Sequence, residues 1–66
     1  MRDFMVYEHI NGMPSYLDEV HDEATECAME ECRTEKEVER YIEKLNKMYP
    51  EDRFGRKRIL YVFWCD

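Results

Sequence analysis

A run of seven consecutive apolar residues near the C-terminus, ILYVFWC at positions 59–65, constrains the fold more than any other feature of the sequence. Residues of this β-branched and aromatic kind favour a strand. An apolar run without polar alternation is typical of a strand that is covered on at least part of both faces. The run is far shorter than the ~20 residues of a membrane-spanning helix. We therefore predict a C-terminal strand in a small fold that does not enter a membrane.

A second strand pattern lies at the N-terminus, in DFMVYEHI at positions 3–10. The dipeptide NG follows it, which favours a type I′ hairpin turn. We therefore expect residues 13–20 to form a second strand, with Leu17 opposite Val6 and Tyr16 opposite Tyr7. The alternative is a helix that begins at Ser15, because SYLD can form a capping box.

Two helices are predicted between the strands. DEATECAMEEC, positions 22–32, is a short helix under either interpretation. In the second helix, Thr34 and Glu37 form a capping box and Pro50 ends the helix. Its apolar residues fall on one stripe, namely Val38, Tyr41, Ile42, Leu45, Met48 and Tyr49.

The fold class that follows is α+β, in one domain over residues 1–66. We predict a small, three-stranded, mostly antiparallel sheet, built from the N-terminal hairpin and the C-terminal strand. A short and a long helix pack on one of its faces, in the order ββααβ. Alternation along the strands divides the apolar residues between a core face and an open face. The core face comprises Phe4, Val6, Ile10, Leu17, Leu60, Val62 and Trp64, and the open face comprises Met5, Tyr7, His9, Tyr16, Ile59, Tyr61 and Phe63.

Composition excludes several classes of function. The chain has a net charge of −6, which argues against direct nucleic-acid contact because such contact relies on Lys and Arg. No secretory signal or Gly-rich phosphate loop occurs. We expect a cytoplasmic protein with no cofactor, whose three cysteines, Cys27, Cys32 and Cys65, are reduced and partly buried. The basic tetrad GRKR, positions 55–58, pairs with the acidic half or contacts phosphate.

The stretch LDEVHDEATECAMEEC, positions 17–32, holds seven carboxylates and no Lys or Arg. Asp18 and His21 have the i, i+3 spacing of di-iron sites, but such sites need two of these pairs. Acidic neighbours would raise the pKa of Cys27 and Cys32, which is the wrong direction for a nucleophile. We therefore predict neither a metal site nor an enzyme. Two interpretations remain, a solvated face that keeps the protein in solution and a surface complementary to a basic one.

In size, acidity, aromatic content and lack of catalytic motifs, the sequence resembles the accessory proteins of bacterial viruses that bind and block a host protein. The resemblance covers no specific motif. Our leading hypothesis is a small, non-enzymatic binding protein that inhibits a basic or nucleic-acid-handling protein, with its acids mimicking phosphate charge. One alternative is a homo-oligomeric structural or assembly protein, such as a homodimer, that uses its tyrosine-rich sheet face against itself. The other is a metal-binding or redox protein. The candidate partner-binding residues are Asp18, Asp22, Glu23, Glu26, Glu30 and Glu31, with the aromatic anchors Tyr7, Tyr16, Tyr61 and Phe63.

Overall fold

The chain forms a three-stranded antiparallel sheet with two α-helices on one face, in the predicted order ββααβ. A computed structural model describes residues 1–65. The strands are β1 (Phe4–Ile10), β2 (Glu19–Val20) and β3 (Arg58–Trp64), and they lie in the order β2-β1-β3. The helices are α1 (Asp22–Glu31) and α2 (Glu35–Met48), and a 3₁₀ turn covers Ser15–Leu17. The fold class predicted from the sequence is confirmed.

The pairing of β1 with β3 joins the two ends of the chain. Phe4 lies opposite Trp64, and the register continues through seven residue pairs to Ile10 opposite Arg58. Directly opposed residues share a face of an antiparallel sheet. Phe4, Val6 and Leu60 are buried on the helix side, and Val62 and Trp64 pack against them. The core face predicted for β1 and β3 is therefore confirmed for these five residues, whereas Ile10, also assigned to it, is half-buried and outside the core.

The predicted hairpin is wrong in length and register. Val20 lies opposite Tyr7, so Tyr16 does not, and Leu17 is 46% exposed and outside the core. The amide of Met13 donates to the carbonyl of Ile10 (3.0 Å), which closes a turn. Its last central residue, Gly12, has φ +87°, whereas no non-glycine residue of the described chain has positive φ.

That combination fits a type II turn, not the type I′ turn that NG favours. A type II turn does not match the twist of a hairpin and splays the strands apart. Pro14 follows directly and lacks the amide that a continuing ladder would need. The chain therefore leaves the sheet after Ile10, and the next strand, Glu19–Val20, is only two residues long.

Helix α1 is held against β1 by small side chains and one buried hydroxyl. Ala24 and Ala28 are buried in the core, and their small size lets the helix approach the sheet closely. The hydroxyl of Thr25 accepts the backbone amide of Val6 (3.0 Å) and donates to the carbonyl of His21 (2.9 Å). Helix α1 lies beside β1 at the position that a longer β2 would have occupied. The amide of Val6 would therefore have no strand partner there, and the hydroxyl of Thr25 supplies one.

Helix α2 begins as predicted, with Thr34 accepting the amide of Glu37 (3.1 Å). Val38 and Ile42 are buried, Tyr41 and Leu45 are half-buried against the core, and the last two residues of the predicted stripe, Met48 and Tyr49, are exposed.

Asn46 on α2 caps the outer edge of β3. Its side-chain amide donates to the carbonyl of Leu60 and accepts the amide of Leu60, both at 2.8 Å. The carbonyl of Pro50 accepts the amide of Arg58 from the same side (3.1 Å). These bonds protect part of an edge strand that could otherwise pair with another chain.

We expect Thr25→Val to lower the free energy of unfolding by about 1–3 kcal/mol, because the change keeps the side-chain shape but leaves the amide of Val6 without a partner. Urea unfolding followed by circular dichroism measures the difference. Thr25→Ser retains the hydroxyl and is expected to lose less. Equal stability of Thr25→Val and the wild type would contradict this role of the hydroxyl.

Candidate functional site

The structure divides the predicted binding residues between two sides of the sheet. Five of the acids lie on α1, in the helical layer, and the aromatic residues of β1 and β3 lie on the opposite, open face of the sheet. The α1 group comprises Asp22, Glu23, Glu26, Glu30 and Glu31, and the open-face group comprises Tyr7, Tyr61, Phe63 and Asp18. The acids of α1 and the aromatic residues therefore form two separate surfaces.

The five acids of α1 are all exposed. Within residues 1–65, none of them forms an ion pair with Lys, Arg or His within 4 Å. Asp22, Glu26 and Glu30 follow one another at i, i+4 spacing, so their carboxylates recur about every 6 Å along the helix. The side of α1 that faces the core carries Ala24, Thr25 and Ala28. The solvent-facing side of α1 is thus mostly acidic, with Met29 as an exposed apolar residue.

Several acids elsewhere in the fold have basic partners. The ion pairs join different elements or adjacent turns and span 2.7 to 3.5 Å, and they are Arg2–Glu35, Glu8–Arg58, Glu43–Lys47 and Asp52–Arg56. Acidic and basic residues alternate along α2 at spacings of three and four residues. Among these neighbours, the described chain brings Glu43 and Lys47 within 4 Å. The excess negative charge of the protein therefore lies chiefly on α1.

The helix dipole explains only part of this acidic pattern. Asp22 and Glu23 lie in the first turn of α1, where negative charge is stabilising, but Glu30 and Glu31 lie in the last turn, where it is not. No basic residue occurs in that last turn. Arg33 compensates in part, because its guanidinium donates to the carbonyl of Glu30 (3.0 Å). Glu30 and Glu31 are therefore not accounted for by helix stability.

The open face of the sheet is aromatic. Tyr7 stacks on Tyr61 with ring centroids 5.8 Å apart and an interplanar angle of 16°. Phe63 meets Tyr7 edge-on, also at 5.8 Å, and 53% of its surface is exposed. Ile59 and Val20 extend this apolar surface and are also exposed. In the described part of the chain, neither α1 nor α2 covers this face, whose side chains are exposed or half-buried.

Tyr16 does not join the open-face cluster. It lies in the 3₁₀ turn and is 83% exposed. The predicted position of Tyr16, opposite Tyr7, is wrong for the same reason as the predicted hairpin, because residues 11–18 form a loop instead of a strand.

Asp18 forms a buried polar contact that the sequence did not reveal. Extending the β1–β2 register by one pair brings it opposite His9, whose Nδ1 lies 2.7 Å from its Oδ1. Its Oδ2 accepts the hydroxyl of Tyr61 from the far strand (2.7 Å). Only 8% of the Asp18 side chain is exposed. Asp18 thus attaches the end of the 11–18 loop to both β1 and β3. It was grouped with the acids of α1 in the sequence-based prediction, but it does not lie on that helix.

These hydrogen bonds shift two pKa values. The bond from His9, followed by that from Tyr61, holds the pKa of the Asp18 carboxyl below its ordinary value. The bond to Asp18, followed by burial, raises the pKa of Tyr61. Both carboxylate oxygens of Asp18 are therefore already bonded within the fold, so Asp18 is a poor candidate for contact with a partner. Pro14, which disfavours a continuing strand, was the signal in the sequence that could have exposed the error in register.

The cysteines are free, with Cys32 buried and Cys27 and Cys65 half-buried, as predicted. Burial, followed by the charges of Glu37 and Glu31, raises the pKa of the Cys32 thiol. A raised pKa disfavours the reactive thiolate. Within residues 1–65, no group of three or more His, Cys, Asp or Glu side chains is arranged to hold a metal ion.

The basic tetrad at residues 55–58 is largely neutralised. Arg56 pairs with Asp52 (2.8 Å) and lies over the ring of Phe54, and Arg58 pairs with Glu8 (2.9 Å). Of the two predictions for this segment, pairing with acids of the same chain is confirmed for these two arginines.

No protein-family model, curated protein or solved structure matches this chain. No helix in the described part of the chain has the length and apolar character needed to cross a membrane.

The lowered pKa of Asp18 makes stability depend on pH in the acid range. We expect Asp18→Asn to be less stable than the wild type above about pH 5, where the unfolded carboxyl, with a pKa near 3.9, is also ionised. The difference should shrink as the pH falls through the lower pKa of the folded state, because the wild type then loses the contribution of the carboxylate. Urea unfolding of both proteins between about pH 2 and pH 7 measures it. A difference that does not change with pH would contradict the assignment.

The same contact can be tested from the side of Tyr61. Tyr61→Phe keeps the ring but removes the hydroxyl that donates to Asp18, so we expect the pKa of Asp18 to rise toward its ordinary value. Tyr7→Phe on the neighbouring strand serves as the control and should leave it unchanged. A carboxyl-detected NMR titration measures the pKa in each protein. Equal effects of the two substitutions would show that the hydroxyl of Tyr61 does not matter.

Proposed function

We propose that this chain is a small, non-enzymatic binding protein whose acidic helix α1 docks on a basic protein surface. The observation that carries the proposal is the placement of charge. The exposed acids of α1 have no basic partner among residues 1–65, whereas four ion pairs neutralise charges elsewhere in the molecule. A surface that needs its counter-charge from outside the molecule is complementary to a basic partner.

Two features support binding over solubility alone. Glu30 and Glu31 lie at the unfavourable end of the helix dipole, so they cost stability that a purely solubilising charge could avoid at another position. Asp22, Glu26 and Glu30 form a single ridge of like charges at i, i+4, and each such pair destabilises a helix by roughly 0.2–0.5 kcal/mol. A partner that neutralises this ridge offsets both costs.

The partner class that fits is a protein with an extended basic surface, of which nucleic-acid-handling proteins are the common example. A row of carboxylates about 6 Å apart can occupy a cleft that otherwise holds phosphates. Binding there would inhibit such a protein by blocking the cleft. The charge also speeds encounter and makes it dependent on salt.

The proposal is tested by reversing two charges at the centre of the ridge. We expect Glu26→Lys/Glu30→Lys to abolish capture of the partner from a lysate of the source cells, and we expect capture by the wild type to fall steeply as salt increases. The matched control is Glu39→Lys/Glu43→Lys, which makes the same change in net charge on exposed positions of α2. Affinity capture with quantitative mass spectrometry compares the three proteins. Capture that is insensitive to salt, or lost equally in both variants, would contradict a site on α1.

A second candidate function is self-association through the open face of the sheet. The exposed aromatic and aliphatic residues there leave an apolar surface uncovered, and apolar patches of this kind mark interaction sites. Its charged residue, Asp18, is already bonded to His9 and Tyr61. Two copies of a chain with net charge −6 could approach through this face with less repulsion than through the helices.

Self-association predicts a mass that rises with protein concentration. Analytical ultracentrifugation at micromolar to millimolar concentration measures it, and Phe63→Glu on the open face should return the protein to a monomer. Phe54→Glu is the control, since Phe54 is also exposed but lies in the loop before β3. A wild type that stays monomeric throughout would exclude this candidate.

A further inference from the structure

A cleft of about 290 Å³ lies between the two helices and the start of β3, next to the acidic helix. Ala24 of α1, Leu45 of α2 and Leu60 of β3 form its apolar part. Tyr41 of α2 and Tyr49, the residue that follows α2 about two turns later, contribute aromatic rings. Tyr49 is 54% exposed, although it belongs to the apolar stripe that the sequence assigned to the core. The cleft is therefore an apolar and aromatic space that the chain itself leaves open.

The mouth of this cleft is acidic. Glu23 of α1 lines it, and the adjoining polar depression, about 630 Å³ in volume, is bordered by Glu19 and Glu51. None of these three carboxylates forms an ion pair within the described chain. Three bases border the same depression. Arg56 pairs with Asp52 and Arg58 with Glu8, whereas Arg53 lies over the ring of Phe54 and forms no ion pair within the described chain.

His21 also lines the cleft, at the N-terminus of α1. Its Nδ1 accepts the backbone amide of Ala24 (3.1 Å), and its Nε2 lies 4.0 Å from Oε2 of Glu8. Both ring nitrogens therefore face groups of the chain itself.

Arg58 does not make the cleft a site for an anion. Its guanidinium donates to Glu8 (2.9 Å), and its Nε is buried without a hydrogen-bond partner in the described structure. An atom without accessible surface does not reach a ligand in the cleft, and an entering anion would meet the carboxylates of Glu23 and Glu8. The chemistry of the walls favours a cation with an apolar stem.

We propose that this cleft receives an arginine side chain of the basic partner. This inference rests on the proposed function and locates the central contact of that interface. The methylene stem packs chiefly on Leu45, above the buried Ala24 and Leu60, the planar guanidinium stacks on the exposed ring of Tyr49, and Glu23 supplies the counter-charge. Arginine fits better than lysine because its guanidinium is weakly hydrated and stacks on aromatic faces.

The experiment is an NMR titration of the ¹⁵N-labelled protein with N-acetyl-arginine amide, with N-acetyl-lysine amide and N-acetyl-glutamate amide as comparison ligands. We expect arginine amide to shift the amide signals of Ala24, Cys27, Leu45 and Leu60, which line the cleft. Lysine amide should bind more weakly, and glutamate amide should leave these signals in place. Shifts confined to the outer side of α1, near Glu26 and Glu30, or stronger binding of the anion, would overturn the inference.

Variants with matched controls separate the cleft from charge in general. Tyr49→Ala should weaken binding of arginine amide roughly 2- to 5-fold through loss of the cation–π contact, whereas Tyr16→Ala removes an exposed tyrosine that lies outside the cleft and should not. Glu23→Gln should weaken it by up to about 5-fold, and Glu30→Gln, which removes the same charge from the same helix, by less than about 2-fold. Equal losses in Glu23→Gln and Glu30→Gln would show that only net charge matters.

Failure of the inference can be distinguished from failure of the proposed function. If capture of the partner depends on Glu26 and Glu30 but is unchanged by Tyr49→Ala, then α1 is the docking surface and the cleft is not used. If arginine amide binds in the cleft but no partner is lost on charge reversal of α1, the proposed function fails while the site remains.

Discussion

The antiparallel pairing of β1 with β3 is the interaction on which the rest of this structure depends. It joins the two ends of a short chain and determines, residue by residue, which side chains face the helices. Phe4 packs against Trp64 with ring centroids 5.4 Å apart, and Val6 lies opposite Val62 in the same layer. A shift of this register by one residue would send these side chains to the open face. The small core exists because this pairing presents one apolar surface to α1 and α2.

The limited core also explains why so much of the molecule is available for binding. A domain of this size buries only about 60% of the surface that its unfolded chain exposes, and the buried apolar residues of the described chain are few. Apolar residues that a larger protein would cover remain accessible, on the open face and at the end of α2. Charged residues differ in this respect, because several acids outside α1 have basic partners within the chain. The features proposed for binding are those that the fold leaves without an internal partner.

Asp18 illustrates how local sequence patterns can mislead about a site. Its neighbours suggested a row of acids on a helix, and its spacing from His21 suggested a metal pair. Instead it lies beside β2, where the strand register brings it to His9 and the width of the sheet brings it to Tyr61. None of these contacts has a characteristic sequence spacing, because they join residues nine and forty-three positions away. Candidate residues from one stretch of sequence were therefore divided between a structural contact and an exposed surface.

The sequence by itself determined the fold class, the N-terminus of α2 at Thr34, the end of α2 before Pro50, and the core face of β1 and β3. Each of these depends on local rules, namely capping, the lack of a proline amide and the alternation of side chains along a strand. Tertiary structure decided the length of β2, the position of Asp18 and the cleft beside α1. A local pattern such as NG is compatible with more than one turn. Asp18 is placed by contacts with His9 and Tyr61, nine and forty-three residues away, and contacts between such distant segments are contained in no short stretch of sequence.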